Sequence, residues 1–124
     1  MNNINLIGRI VNELELKYTA NGKAVLRFTI AVDKGYSKER KLEEQVKNNP
    51  TADFIPIQAW DRLAEIIAEY SGKGKQIGIS GTINSNNYEK EGKKIYTLII
   101  TANNIDLLGG KDNIEKVEEI EASE

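Results

Sequence analysis

Apolar residues fall on every second position in several stretches of this chain and on every third or fourth position in one. Ile4, Leu6 and, after Gly8, Ile10 fall on alternating positions across Asn3 to Ile10, the mark of a half-buried strand. The pattern runs on toward Leu16 and Tyr18, with room for a bend near Gly8. Thr19-Ala20-Asn21-Gly22 predicts a turn, because Asn and Gly tolerate positive φ. Ala24 to Val32 predicts a second strand, with Leu26, Phe28, Ile30 and Val32 on the apolar face and Arg27 and Thr29 facing away. Lys34 to Thr51, charged and rich in Asn, predicts a long loop or hairpin extension, and long loops in compact domains are often functional.

A third strand is expected over Phe54 to Trp60. Asp61 is a favourable helix N-cap, and Leu63, Ile66, Ile67 and Tyr70 then repeat at helical spacing. Ser71-Gly72-Lys73-Gly74 stops that helix. Gln76 to Ile83 predicts a fourth strand, Asn84 to Lys93 a polar hairpin arm with Tyr88 near its tip, and Ile95 to Leu108 a fifth strand interrupted near Ala102-Asn103-Asn104. The expected fold is all-β with one helix, in the order β-β-β-α-β-β. That is the order of the five-stranded OB-fold barrel, which binds oligonucleotides on one face and in its loops. Residues 1–110 form the expected domain, and 111–124 a short acidic, flexible tail.

The third strand carries the chemistry. Alternation points Ile55, Ile57 and Ala59 to the core, and Phe54, Pro56, Gln58 and Trp60 to the other side. Two large aromatics then stand on the wet face, about 20 Å apart. Aromatic rings on the open side of a small sheet are a platform for stacking nucleobases.

Composition narrows the alternatives. The chain has 124 residues, 40% of them hydrophobic, enough for one modest core. It has no Cys and no His, which removes disulfides, Ser-His and Cys-His nucleophile pairs and the usual zinc ligands. No cofactor is expected. No apolar run reaches membrane-span length and the N-terminus lacks a signal pattern, so a cytoplasmic protein is expected. Net charge is −2, yet residues 1–110 hold 15 basic and 13 acidic side chains while 111–124 hold 2 and 6. The body is weakly basic, so stacking must supply much of any nucleic-acid affinity.

Other features read as structure. Gly72-Lys73-Gly74-Lys75 lacks phosphate-loop spacing and follows a helix instead of opening one. Tyr18, Tyr70 and Tyr96 read as packing residues. Ile114, Val117 and Ile120 give only a weak helical stripe. Asp53 and Asp61 flank a strand about 25 Å long, too far apart to share a nuclease metal. An OB-type assembly module with its aromatics between subunits, or an RNA-binding OB domain, remains the alternative.

The pieces NLIGRI, ELKYTANGKAV, FTIAV, DFIPIQAWDRLAE and KGKQIGISG, in this order and spacing, resemble the bacterial and bacteriophage single-stranded DNA-binding proteins over about the first 110 residues. The resemblance implies sequence-independent binding and protection of single-stranded DNA in replication, recombination and repair, without catalysis. It implies base stacking on Tyr36, Phe54, Trp60 and Tyr88, and phosphate contacts by Arg62 and Lys73. Arg27, Lys75, Lys93 and Lys94 are further candidates for phosphate. It also implies a homotetramer acting in the bacterial nucleoid or in the cytoplasm of a phage-infected host. The chain departs from the pattern at Leu14, where proline is common. It departs again at Asn84-Ser85-Asn86-Asn87, where the arm is usually basic. Its end, Glu121-Ala122-Ser123-Glu124, lacks an apolar tip, so recruitment of repair or replication enzymes through the tail is not expected, and either a bacteriophage-type member or a trimmed chain is.

Overall fold

A computed structural model describes residues 1–109 of the chain; the tail expected over 111–124 lies outside the described residues. The strands are β1 (Ile4–Ile10), β2 (Lys17–Tyr18), β3 (Ala24–Asp33), β4 (Ala52–Trp60), β5 (Gln76–Lys90) and β6 (Lys93–Gly109). The helices are α1 (Lys38–Val46) and α2 (Asp61–Tyr70). The fold is mostly β, with six strands in the sheet order β1-β5-β6-β4-β3-β2 and a further pairing of β1 with β3. β4 and β6 run parallel, with Ile57 opposite Ile100 and Gln58 opposite Thr101, and the other pairs are antiparallel.

The expected β-β-β-α-β-β order needs correction in two places. β2 is a separate two-residue strand beside Val25 and Ala24. Lys34 to Thr51 is not a loop throughout, because α1 forms inside it. Lys38 to Val46 is built largely of helix formers, and the Ser37 hydroxyl accepts a hydrogen bond from the Arg40 amide at its start. α1 buries no residue, so it left no apolar stripe to detect.

The core is the inward face of the sheet closed by α2. Leu26, Ile30, Ile57, Ala59, Ala64, Ile67 and Ile77 are fully buried, and Leu63 and Ala68 pack against them. The sequence places these residues two apart in strands and three or four apart in α2, so one side of each element is dry. α2 begins differently from expectation: the cap position is Trp60, with no side-chain cap bond, and Asp61 has φ +56°. Asp tolerates that left-handed conformation better than most residues, and the kink turns the chain sharply from β4 into α2.

The interruption expected near Asn103 is a β-bulge. Ser80 pairs with Asn104 and Gly81 with Ala102, leaving Asn103 as the extra residue. Gly81 is required here, since a Cβ would overlap the Thr101 backbone carbonyl. Beyond the bulge β5 and β6 stay paired to their ends, so the expected polar arm is a continuation of both strands. Its two-residue turn, Glu91-Gly92, has positive φ at both positions, the geometry that matches strand twist in a tight hairpin.

Candidate nucleic-acid interface

The outward face of the sheet gathers residues that lie far apart in sequence. β4 presents Phe54, Pro56, Gln58 and Trp60, since Ile57 and Ala59 are buried between them. In register, Arg27 of β3 lies opposite Gln58, Ala31 opposite Phe54, and Val25 opposite Trp60. Arg27 therefore shares the face with both aromatics. On the other side of β4, Gln58 faces Thr101 of β6, which faces Thr82 of β5. Alternation along β5 then brings Asn84, Asn86 and Tyr88 to the same side, and Lys93 follows as the partner of Lys90.

Phe54 is 61% exposed and Tyr88 48%. Trp60 is half-buried and lines a cleft of about 380 Å³ with Thr19, Asn21, Lys23 and Asp61. The β2–β3 turn thus brings a cation, Lys23, beside the indole. The turn is fixed by the Gly22 amide donating to the Thr19 carbonyl at 2.9 Å and by Gly22 at φ +80°. Lys23 was not singled out from sequence, because nothing local says that this turn folds against the end of β4.

Tyr36 sits before α1, half-buried, with the Arg40 guanidinium 4.0 Å from its ring centre. That contact is a cation–π pair and occupies one face of the ring. The excursion carrying Tyr36 is tied at its base. The Lys34 ammonium donates to Asp53 at 2.6 Å, which raises the Lys34 pKa above its ordinary value. The Asp33 carboxylate accepts from the Gly35 amide at 2.7 Å and from Lys41 at 3.1 Å. The amide bond, then Lys41, lowers the Asp33 pKa.

The remaining expected cations are dispersed. Lys94 lies on the opposite face of the arm from Tyr88, in a cleft of about 280 Å³ lined by Asn87, Tyr88, Glu89 and Tyr96. Arg62 is in the first turn of α2, 3.5 Å from Glu65. Lys73 and Lys75 belong to the α2–β5 connection, which is bonded to the end of β1 through Gly74 to Ile10 and Ile10 to Lys75. Of the ten expected site residues, Arg27, Phe54, Trp60, Tyr88 and Lys93 share one sheet face. The expectation that Tyr18 and Tyr96 pack inside is not met: they are 61% and 70% exposed. Tyr70 is half-buried.

A polar relay crosses the same face and had no signal in the sequence. Gln58 Nε2 donates to Thr101 Oγ1 at 2.8 Å, and Thr101 Oγ1 donates to Asn84 Oδ1 at 2.6 Å. It joins three strands at the centre of the aromatic face. Among the described residues no cluster of His, Cys, Asp and Glu could hold a metal, and no helix is long and apolar enough to cross a membrane.

Residues 1–108 match the family model described as the single-strand binding protein family. The chain is similar to Single-stranded DNA-binding protein 2 of Clostridium acetobutylicum, 43% identical over 122 residues, covering 95% of this chain and 86% of that protein. It is similar to Single-stranded DNA-binding protein of Clostridium tetani, 43% identical over 110 residues, covering 87% and 70%. A second Clostridium acetobutylicum protein, Single-stranded DNA-binding protein 3, is 42% identical over 110 residues, covering 87% and 71%.

Proposed function

The chain belongs to the single-strand binding protein family, and from that premise we propose that its outward sheet face stacks unpaired DNA bases without regard to sequence. The protein binds single-stranded DNA and is not an enzyme, as is the rule in this family. The observation that carries the stacking reading is the placement of Phe54 and Trp60, backed by the core, on the same sheet face as Tyr88 of the arm.

Each stacked base contributes about 1–3 kcal/mol and every base has a π-face, so binding tolerates any sequence. Duplex bases hide their faces in the stack, which gives the preference for single strands. Arg27 and Lys93 on the face and Lys23 beside Trp60 serve the backbone there, and Arg62, Lys73, Lys75 and Lys94, dispersed outside the face, serve it where the strand passes them. Each neutralised phosphate adds about −0.7 to the logarithmic salt slope. Tyr36 offers its remaining ring face from the β3–β4 excursion.

We take the fold to be an OB barrel spanning 1–110. The pairings β1 to β5, β5 to β6, β6 to β4, β4 to β3 and β3 to β1 form a circuit in keeping with closure. Ile7, 58% exposed, and Leu108, 42% exposed, are left bare on the β1–β5–β6 part of the sheet, away from the aromatics. That supports self-assembly there, with a homotetramer as the expected state. Several barrels on one DNA strand would raise avidity through effective concentration. Protection of exposed strands in replication, recombination and repair, in the cytoplasm where they arise, is the role that fits. Titration of the chain with single-stranded DNA, duplex DNA and RNA, with mass followed by light scattering, tests this. Tight binding confined to single strands is expected, and equal binding to duplex would refute it.

A further inference from the structure

We propose that Asn2 positions the β5–β6 arm for DNA: its side chain clamps β5 at Ile83, where the arm leaves the body, and so sets where Tyr88 stands relative to Phe54 and Trp60. The proposal rests on the stacking role of Tyr88. β1 pairs with β5 from Arg9 opposite Gln76 to Ile4 opposite Gly81. Continued for two residues, that register places Asn2 opposite Ile83. There the side chain does what a strand backbone would do. The Ile83 amide donates to Asn2 Oδ1 at 2.9 Å, and Asn2 Nδ2 donates to the Ile83 carbonyl at 2.9 Å. The backbone fixes which amide atom is which, because an N–H only donates and a carbonyl only accepts.

The clamp matters because of where it sits. From Thr82 to Lys90, β5 pairs with β6 alone, and the pairing with β1 has ended. At the same root the ladder to β6 is broken by the bulge between the Ser80–Asn104 and Gly81–Ala102 pairs. A bulge bends the strand that carries it, so the body of the sheet does not by itself dictate the direction of the arm. Asn2 holds the free edge of β5 just past that break. Tyr88 stands five residues beyond Ile83, about 17 Å along the strand. On that lever a swing of about 10° at the root moves the ring by about 3 Å, enough to carry it off a base. The ribbon beyond the clamp can still adjust, but its root is already placed, and less freedom is lost when DNA binds. Asn2 is exposed and stands outside the core, so the fold does not depend on it.

The test is a double-mutant cycle in the full chain: wild type, Asn2→Ala, Tyr88→Ala and both together, titrated with oligo(dT) and read by Trp60 fluorescence. Asn2→Ala is expected to weaken binding about 2- to 4-fold, less than Tyr88→Ala does. With Tyr88 already removed, Asn2→Ala should cost less than about 1.5-fold more, because no ring is left to place. In the free protein, hydrogen exchange at the Ile83 amide should quicken about 3- to 10-fold in Asn2→Ala, while the Ile57 and Ala59 amides and the thermal midpoint keep their wild-type values. Losses that multiply in the double variant would make Asn2 a contact of its own or a part of the fold, and would overturn the proposal. So would wild-type affinity in Asn2→Ala, or an Ile83 amide that exchanges at the wild-type rate. If wild type does not bind oligo(dT), or Tyr88→Ala loses nothing, the stacking role of Tyr88 fails and this proposal with it. That failure is told apart by an Ile83 amide that still responds to Asn2→Ala.

Discussion

The aromatics of β4 and those of the β5–β6 arm are both turned to solvent, but they are held there by different means. Behind Phe54 and Trp60, Ile57 and Ala59 are fully buried, and α2 packs across the core. Behind Tyr88 there is only the partner strand: almost every residue from Ile83 to Leu98 is exposed on both faces of the ribbon. The β4 platform is placed by global folding, and the arm by its own hydrogen bonds. A rigid element loses less freedom on binding than a ribbon that must be ordered, so the platform should dominate affinity and the arm should adjust to the strand it meets.

That contrast is first exposed by truncating each support. Ile57→Ala should destabilise the fold by about 2–5 kcal/mol, while Ile95→Ala, at the residue paired with Tyr88 across the arm, should cost under about 1 kcal/mol. Denaturant unfolding measures both, and equal costs would remove the distinction. Next in size come the rings themselves. Trp60→Ala should weaken binding to single-stranded DNA by about 1–3 kcal/mol at unchanged stability, with Tyr88→Ala nearer the lower bound. A larger loss at Tyr88 would reverse the ranking of the two regions.

The smallest effect concerns the excursion that bears Tyr36. The folded-state pKa of Asp33 is lowered, so its contribution is complete above the ordinary carboxylate pKa and is lost as pH falls through the folded value. Lys34 is raised, so its contribution is complete below the ordinary lysine pKa and is lost as pH rises through the raised value. Both are exposed ion pairs, and such pairs contribute little. Hydrogen exchange at the Gly35 amide should be protected evenly from about pH 5 to 9 once the intrinsic rate is removed. Loss of that protection is expected only toward the extremes, with the Trp60 environment unchanged.

How far the sequence went follows the same division. Strands with one dry face were legible, because Leu26-Phe28-Ile30 and Ile55-Ile57-Ala59 repeat with the strand period, and α2 was legible for its four-residue stripe. α1 was not, since nothing in it is buried. Tyr96 was misjudged because the ribbon runs past the core, so that its inner-side positions have nothing to cover them. The β4 aromatics were correctly placed by alternation alone. The Gln58–Thr101–Asn84 relay and the approach of Lys23 to Trp60 depend on strand register and turn docking, and no local pattern encodes either.

The most direct test uses the single tryptophan. Trp60 fluorescence should quench and saturate on addition of oligo(dT), and should stay near its starting value when the same length of duplex DNA is added. An indole that does not respond to single strands, or responds equally to duplex, would contradict a binding face built on open aromatic rings.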